Sequence, residues 1–257
     1  GGPPAPPQSG PIPAQVPAWN QGPHPAPKRN PWPIVAAVAV VLVLVVGGII
    51  VWAVIPDKKD VKKKKLISEE RLSSLLLSSS EINSVMGSST MQPGKPITSV
   101  DSSPASLSLM DCQGTMYTSQ APTYSGTGYT GISSLVSSEP GDDYDHWANQ
   151  AAVTFPTTDK ADEFLQTQVG KWKNCAGKQI TVTSKSKTFR WTLGELQGQS
   201  PKITLSMTQE GANGWECQRA MGVTNNVVVD VKACGFQITN QGAQIVDKIV
   251  AKADEET

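Results

Sequence analysis

The chain has 257 residues, room for one or two domains, and its 22 basic and 22 acidic side chains cancel. The balance is uneven: residues 1–56 hold no Asp or Glu, whereas residues 66–257 hold 20 acidic against 14 basic side chains. The C-terminal region is therefore a poor candidate for binding nucleic acid, because phosphate backbones demand a basic surface, and no nucleic-acid partner is expected. The chain starts at Gly1 rather than Met, so a further portion upstream is expected.

Twelve of the 20 prolines fall between Pro3 and Pro33. Residues 1–33 read as a Pro-rich disordered linker, with too little apolar surface to offset chain entropy. Segments such as Pro4-Ala5-Pro6-Pro7 can form the polyproline helix that SH3-like domains bind, but the loose spacing favours a spacer. The lone His24 gives no metal argument.

Residues 34–55 run for 22 positions without a charge. As a helix they span roughly 33 Å against a hydrocarbon core of about 30 Å, so a transmembrane helix in the lipid bilayer is expected. Trp32 and Trp52 sit where indoles prefer the headgroup level. The segment is too long for the apolar part of a signal peptide. Residues 56–65 form a Lys-rich juxtamembrane segment, with Lys58, Lys59 and Lys62 to Lys65 against only Lys28 and Arg29 on the other side. A bare positive-inside count places the C-terminus in the cytoplasm. Long domains translocate largely regardless of flanking charge, and the cysteines favour the outside, so the N-terminal side is expected to be cytoplasmic and residues 56–257 extracytoplasmic.

Residues 66–257 read as an α+β domain with a mainly antiparallel sheet, packed helices and two disulfides. Leu66, Ile67, Leu72, Leu75, Leu76 and Leu77 recur at near-helical spacing, and Ser78-Ser79-Ser80-Glu81 matches a capping box that Gly87 closes. Residues 88–128 look like a long loop around one strand over 110–117. Strands are predicted over 129–138, 147–155, 179–184, 188–193, 202–209, 215–223 and 227–233. Helices are predicted over 158–173, with Thr157-Thr158-Asp159 as capping residues, and over 241–253.

Four cysteines, Cys112, Cys175, Cys217 and Cys234, allow three pairings, and their spacing is not that of a zinc site. If Asn225-Asn226 forms a two-residue type I′ turn, Cys217 faces Cys234 across a hairpin at a non-hydrogen-bonded position, within disulfide range. That leaves Cys112 with Cys175. The same register opposes Arg219 and Lys232, a like-charge pair that Asp230 or a bound anion must relieve. Reduced core cysteines are the alternative, and they fit a cytoplasmic domain.

Two motifs are weaker than they look. Gly126-Thr-Gly128-Tyr-Thr-Gly131 matches GxGxxG but lacks a strand before it and a helix after it, so a turn is expected. Glu139, Asp142, Asp143 and Asp145 lack calcium-loop spacing and read as an acidic loop. With His146 as the domain's one histidine, no Ser-His-Asp or Cys-His constellation assembles, which leaves carboxylate-only chemistry as the open hydrolase reading.

The runs SSLLLSSSEINSVMG, YTSQAPTYSGTGY, SSEPGD, HWANQAAVTFPTTDKA, WKNCAGKQITV and GWECQRAMGVTNNVVVDVKACG resemble the PknH-like family of sensor domains on mycobacterial transmembrane serine/threonine-protein kinases. The resemblance spans residues 66–257 nearly end to end. It implies a cytoplasmic kinase domain upstream with ATP and Mg as its cofactors, none being expected in this chain. It also implies the pairs Cys112–Cys175 and Cys217–Cys234 and a polar cleft for an extracellular ligand of unknown identity. Arg190, Trp215, Arg219 and Lys232, on adjoining strands, are the cleft candidates, weighed against ordinary strand-surface roles. The expected function is that of a sensor and membrane anchor coupling an envelope signal to autophosphorylation, with a homodimer a further expectation. The alternative is a freestanding single-span envelope protein that binds cell-wall material, and an upstream HRD and DFG set would separate the two.

Overall fold

A computed structural model describes residues 65–184 and 187–257. The linker, the apolar run and most of the Lys-rich segment lie outside the described residues. Among those described, no helix is long and apolar enough to cross a membrane.

The strands are β1 (Gln92–Pro93), β2 (Gly131–Ser138), β3 (His146–Thr154), β4 (Gln179–Ser184), β5 (Lys187–Leu193), β6 (Gln197–Gln199), β7 (Lys202–Gln209), β8 (Glu216–Thr224) and β9 (Val227–Gly235). They form one antiparallel sheet in the order β1-β2-β3-β9-β8-β7-β5-β4, with β6 attached to β7. The central strand β9 is buried along its whole length, so it carries residues for both faces. Val227, Val229, Val231 and Ala233 join one apolar layer, while Val228 and Cys234 join the other. By the same period of two, Asp230 and Lys232 share the face of Cys234.

The Val229 face is covered by helices α1 (Leu72–Leu75), α2 (Ser79–Met86) and α6 (Gln241–Glu255). The capping box at Ser78 and Glu81 is formed, and Gly87 ends α2 in the left-handed conformation at φ 75°. Helix α6 buries Gly242, Ile245, Val246, Ile249 and Ala253, the i, i+3, i+4, i+7 stripe of an amphipathic helix. The predicted first helix shrinks to a 3-10 turn (Glu69–Arg71) and α1, because Leu75, Leu76 and Leu77 are all buried and no single helical face can bury three consecutive residues.

The opposite face holds α5 (Thr158–Cys175), capped by Thr157 Oγ1 accepting from Lys160 N at 3.2 Å. It buries Ala161, Phe164, Leu165, Gln168 and Trp172 against the sheet. Beside it runs the chain between β1 and β2, with α3 (Gln113–Met116) and α4 (Ala121–Tyr124). The strand predicted over 110–117 is not formed: these residues make a 3-10 turn (Met110–Cys112) followed by α3. Turn geometry lets their carbonyls converge on one buried guanidinium, which an extended strand could not do.

The β8–β9 register pairs Cys217 with Cys234 and Arg219 with Lys232, and both disulfides are present. The loop keeps its two residues, but only Asn225 has positive φ, at 48°, so the double left-handed geometry of type I′ is absent. Asn226 is held otherwise: its side chain accepts from Ile67 N at 2.8 Å and donates to Ile67 O and Phe155 O at 3.0 and 2.9 Å. Asn226→Ala leaves three buried backbone groups without partners. The expected loss is about 2–3 kcal/mol in urea denaturation.

Candidate ligand cleft

Arg219 is fully buried on the α5 side of the sheet. Its Nε donates to Thr115 O at 3.1 Å, and Nη2 donates to Gly114 O and Tyr117 O at 2.9 and 3.3 Å. Nη1 donates to Val231 O, and the guanidinium lies over the Trp172 ring at 4.8 Å. The carbonyls left free at the end of α3 thus find one cationic donor. A Cβ at Gly114 would run into the Thr123 side chain, which would have to shift. Asp230 supplies the counter-charge, with Oδ1 2.8 Å from Arg219 Nη2 as an ion pair without hydrogen-bond geometry. Asp230 Oδ2 accepts from Ser119 N at 3.0 Å and from Tyr124 Oη at 2.9 Å. Burial, then the Asp230 charge, push the Tyr124 hydroxyl well above its ordinary range, so it stays a donor. Cys112–Cys175 ties the same segment to the end of α5.

This bracing holds Tyr117 above the sheet, next to Lys232. The Lys232 ammonium faces the rings of Tyr117 and Trp191 at 5.0 and 5.2 Å, and among the described residues it has neither a carboxylate nor a hydrogen-bond acceptor. Burial first, and the Arg219 charge second, lower it from 10.5 to about 7.

Because the folded state sheds this proton more readily, the unfolded chain binds more protons between those two values. Stability therefore rises with pH across that window. A shift of this size is worth a few kcal/mol at about 1.36 per pH unit, of which the two rings return part. Lys232→Met is thus expected to stabilise the domain by about 1–3 kcal/mol near pH 6, with the gain vanishing above the ordinary lysine value. Urea denaturation at the two pH values checks this.

Two cavities meet at Lys232. One, of about 330 Å³, is floored by Cys217 and Cys234 and walled by Trp147, Trp191, Trp215 and Phe189. The other, of about 590 Å³, is lined by polar residues of the segment 99–102 and by Ser119, Gln120 and Asn149. Tyr117, Trp147 and Lys232 belong to both, so the two form one cleft along the sheet. A third cavity, of about 810 Å³, lies away from it beside Cys112, Cys175 and Lys171.

Of the four candidates read from the sequence, Trp215 and Lys232 line the aromatic cavity. Arg219 lies beneath the cleft as a brace rather than in its wall. Arg190 is on the outer surface, more than half exposed, with Nη1 3.4 Å from Glu210 Oε1, and lines none of these cavities. Sequence reasoning missed Tyr117, Trp147 and Trp191. Trp191 was open to it, since alternation along β5 sets it on the face opposite Arg190.

Gly126 and Gly128 form a turn between α4 and β2, both at positive φ. In the acidic loop Glu139 is engaged internally, accepting from Ser88 Oγ and His146 N, each at 2.8 Å, with His146 Nδ1 2.7 Å away. Burial opposes its ionisation, but these hydrogen bonds prevail and lower its pKa.

Residues 67–252 match the family described as PknH-like extracellular domain. The chain belongs to that family. It is 62% identical over 252 residues to the serine/threonine-protein kinase PknH of Mycobacterium bovis and to that of Mycobacterium tuberculosis. These alignments cover 98% of this chain but only 41% and 39% of the two relatives, so the chain spans about two fifths of their length. The crystal structure of the extracellular domain of PknH from Mycobacterium tuberculosis superposes with a TM-score of 0.73 at 67% identity, covering 75% of this chain and 99% of that one. The chain therefore shares its antiparallel sheet with packed helices with that solved relative, and it carries two disulfides on this fold.

Proposed function

We propose that residues 66–257 are the ligand-sensing ectodomain of a receptor-type serine/threonine protein kinase. In this reading residues 34–55 anchor it in the bilayer, and a kinase domain using ATP and Mg lies on the cytoplasmic side. The carrying observation is the 62% identity to a serine/threonine-protein kinase over 98% of the chain, which takes in the Pro-rich and apolar stretches as well as the folded domain. The cleft at Lys232 is the ligand's place, since it is concave, largely apolar and holds a few convergent polar groups. A ligand signals only by binding one arrangement of the receptor better than another, and moving a 1:99 equilibrium to 99:1 takes about 5.5 kcal/mol. The β8–β9 hairpin is suited to carry that difference. It bears Lys232 in the cleft, while at its tip Asn225 Nδ2 donates to Lys65 O at 2.7 Å and Asn226 grips Ile67, where the chain enters the domain.

The test is the native polypeptide in membranes of the source organism, detected with an antibody to residues 66–257. A band larger by a kinase domain that also labels with an ATP analogue supports the proposal. A band of this chain's own size overturns it in favour of a freestanding envelope-binding protein.

A further inference from the structure

Among the described residues Lys232 is a buried charge without an opposite charge beside it. It is 7% exposed, and the neighbouring cation Arg219 is already balanced by Asp230. Among the described residues no carboxylate lines the aromatic cavity into which Lys232 faces. Asp101, in the adjoining cavity, is engaged by Ser103 N at 2.8 Å and Gln120 Nε2 at 3.3 Å. A buried ammonium held only by two ring faces gains a strong charge-assisted bond from any anion that reaches it.

The walls select what carries that anion. Trp191 and Trp215 offer broad apolar faces, whereas Gln209 and Ser184 supply an amide and a hydroxyl. At about 330 Å³ the aromatic arm of the cleft stands near the lower end of small-molecule sites, which run from roughly 300 to 1,000 Å³, and it has room for one ring, with the polar arm continuing beyond Lys232. We infer that this cavity binds a single hydroxylated ring, a sugar in size and polarity, bearing one phosphate or carboxylate, with the anion on Lys232 Nζ and the ring against Trp191 and Trp215. The inference rests on the cleft reading above and names the chemistry of its ligand.

The test titrates the full 257-residue chain in detergent with glucose 6-phosphate, glucuronate, glucose and inorganic phosphate, read by tryptophan fluorescence and calorimetry. One or both anionic sugars should bind at least about tenfold more tightly than glucose or inorganic phosphate, and which of them does so distinguishes a phosphate from a carboxylate ligand. Lys232→Met should lose about tenfold or more of that affinity while unfolding at the same or a higher temperature. Trp215→Ala should weaken whichever anionic sugar binds. Equal binding of glucose and the charged sugars, no binding of either charged sugar, or unaltered affinity in Lys232→Met overturns the inference. ATP labelling of the native polypeptide is independent of these outcomes, so the receptor reading fails or stands separately.

Discussion

Replacing Arg219 with Ala is expected to cost the domain about 3–5 kcal/mol, a large part of the 5–15 kcal/mol that a natural domain has. The substitution strips donors from the carbonyls of Gly114, Thr115, Tyr117 and Val231 and leaves Asp230 a buried carboxylate without its cation. Urea denaturation at neutral pH measures the loss, and near-UV circular dichroism reports Trp172, whose ring faces the guanidinium. The double variant Arg219→Met, Asp230→Leu should recover only part of it. Removing both charges ends the electrostatic penalty, yet Ser119 N and Tyr124 Oη still lose their acceptor. A loss below about 1 kcal/mol in Arg219→Ala would show the brace to be incidental.

Opening Cys112–Cys175 is the second large effect. The bridge closes a separation of 63 residues, for which loop-closure entropy gives about 4 kcal/mol, against about 3 kcal/mol for the 17 residues between Cys217 and Cys234. Cys112→Ala with Cys175→Ala should therefore destabilise more than Cys217→Ala with Cys234→Ala, as read from denaturant midpoints at constant slope. The two pairs also differ in what they free. The first loosens the segment that carries Tyr117 over the cleft, so ligand affinity should fall with it. The second opens the cavity floor on a hairpin still held by its ladder.

The hairpin that carries the cleft was legible because three local signals agree. Two Asn residues mark the turn, two Cys residues fix the register, and alternation puts Arg219 on the face of Cys217 and Lys232 on that of Cys234. Helix α5 was legible for the same reason, with capping residues at Thr157-Thr158-Asp159, of which Thr157 is the cap, and an apolar stripe ending at Trp172. What covers the sheet was not legible. The segment 88–128 is ordered by contacts far away in sequence, such as Ser119 N to Asp230 and Thr115 O to Arg219, and it has no periodicity of its own. Strands β1 and β6 escaped notice because two or three residues hold no pattern. Thus Arg219 and Lys232 looked alike in the sequence, and the roof over one of them separates a structural cation from an unmatched one.

The most direct test of the central claim is the phosphorylation of the native polypeptide in living cells, compared among wild type, Lys232→Met, Trp215→Ala and the control Lys160→Ala on the exposed side of α5. The account predicts that both cleft variants alter autophosphorylation at equal abundance in the membrane while the control does not. Identical phosphorylation in all four would contradict a sensing role for this cleft.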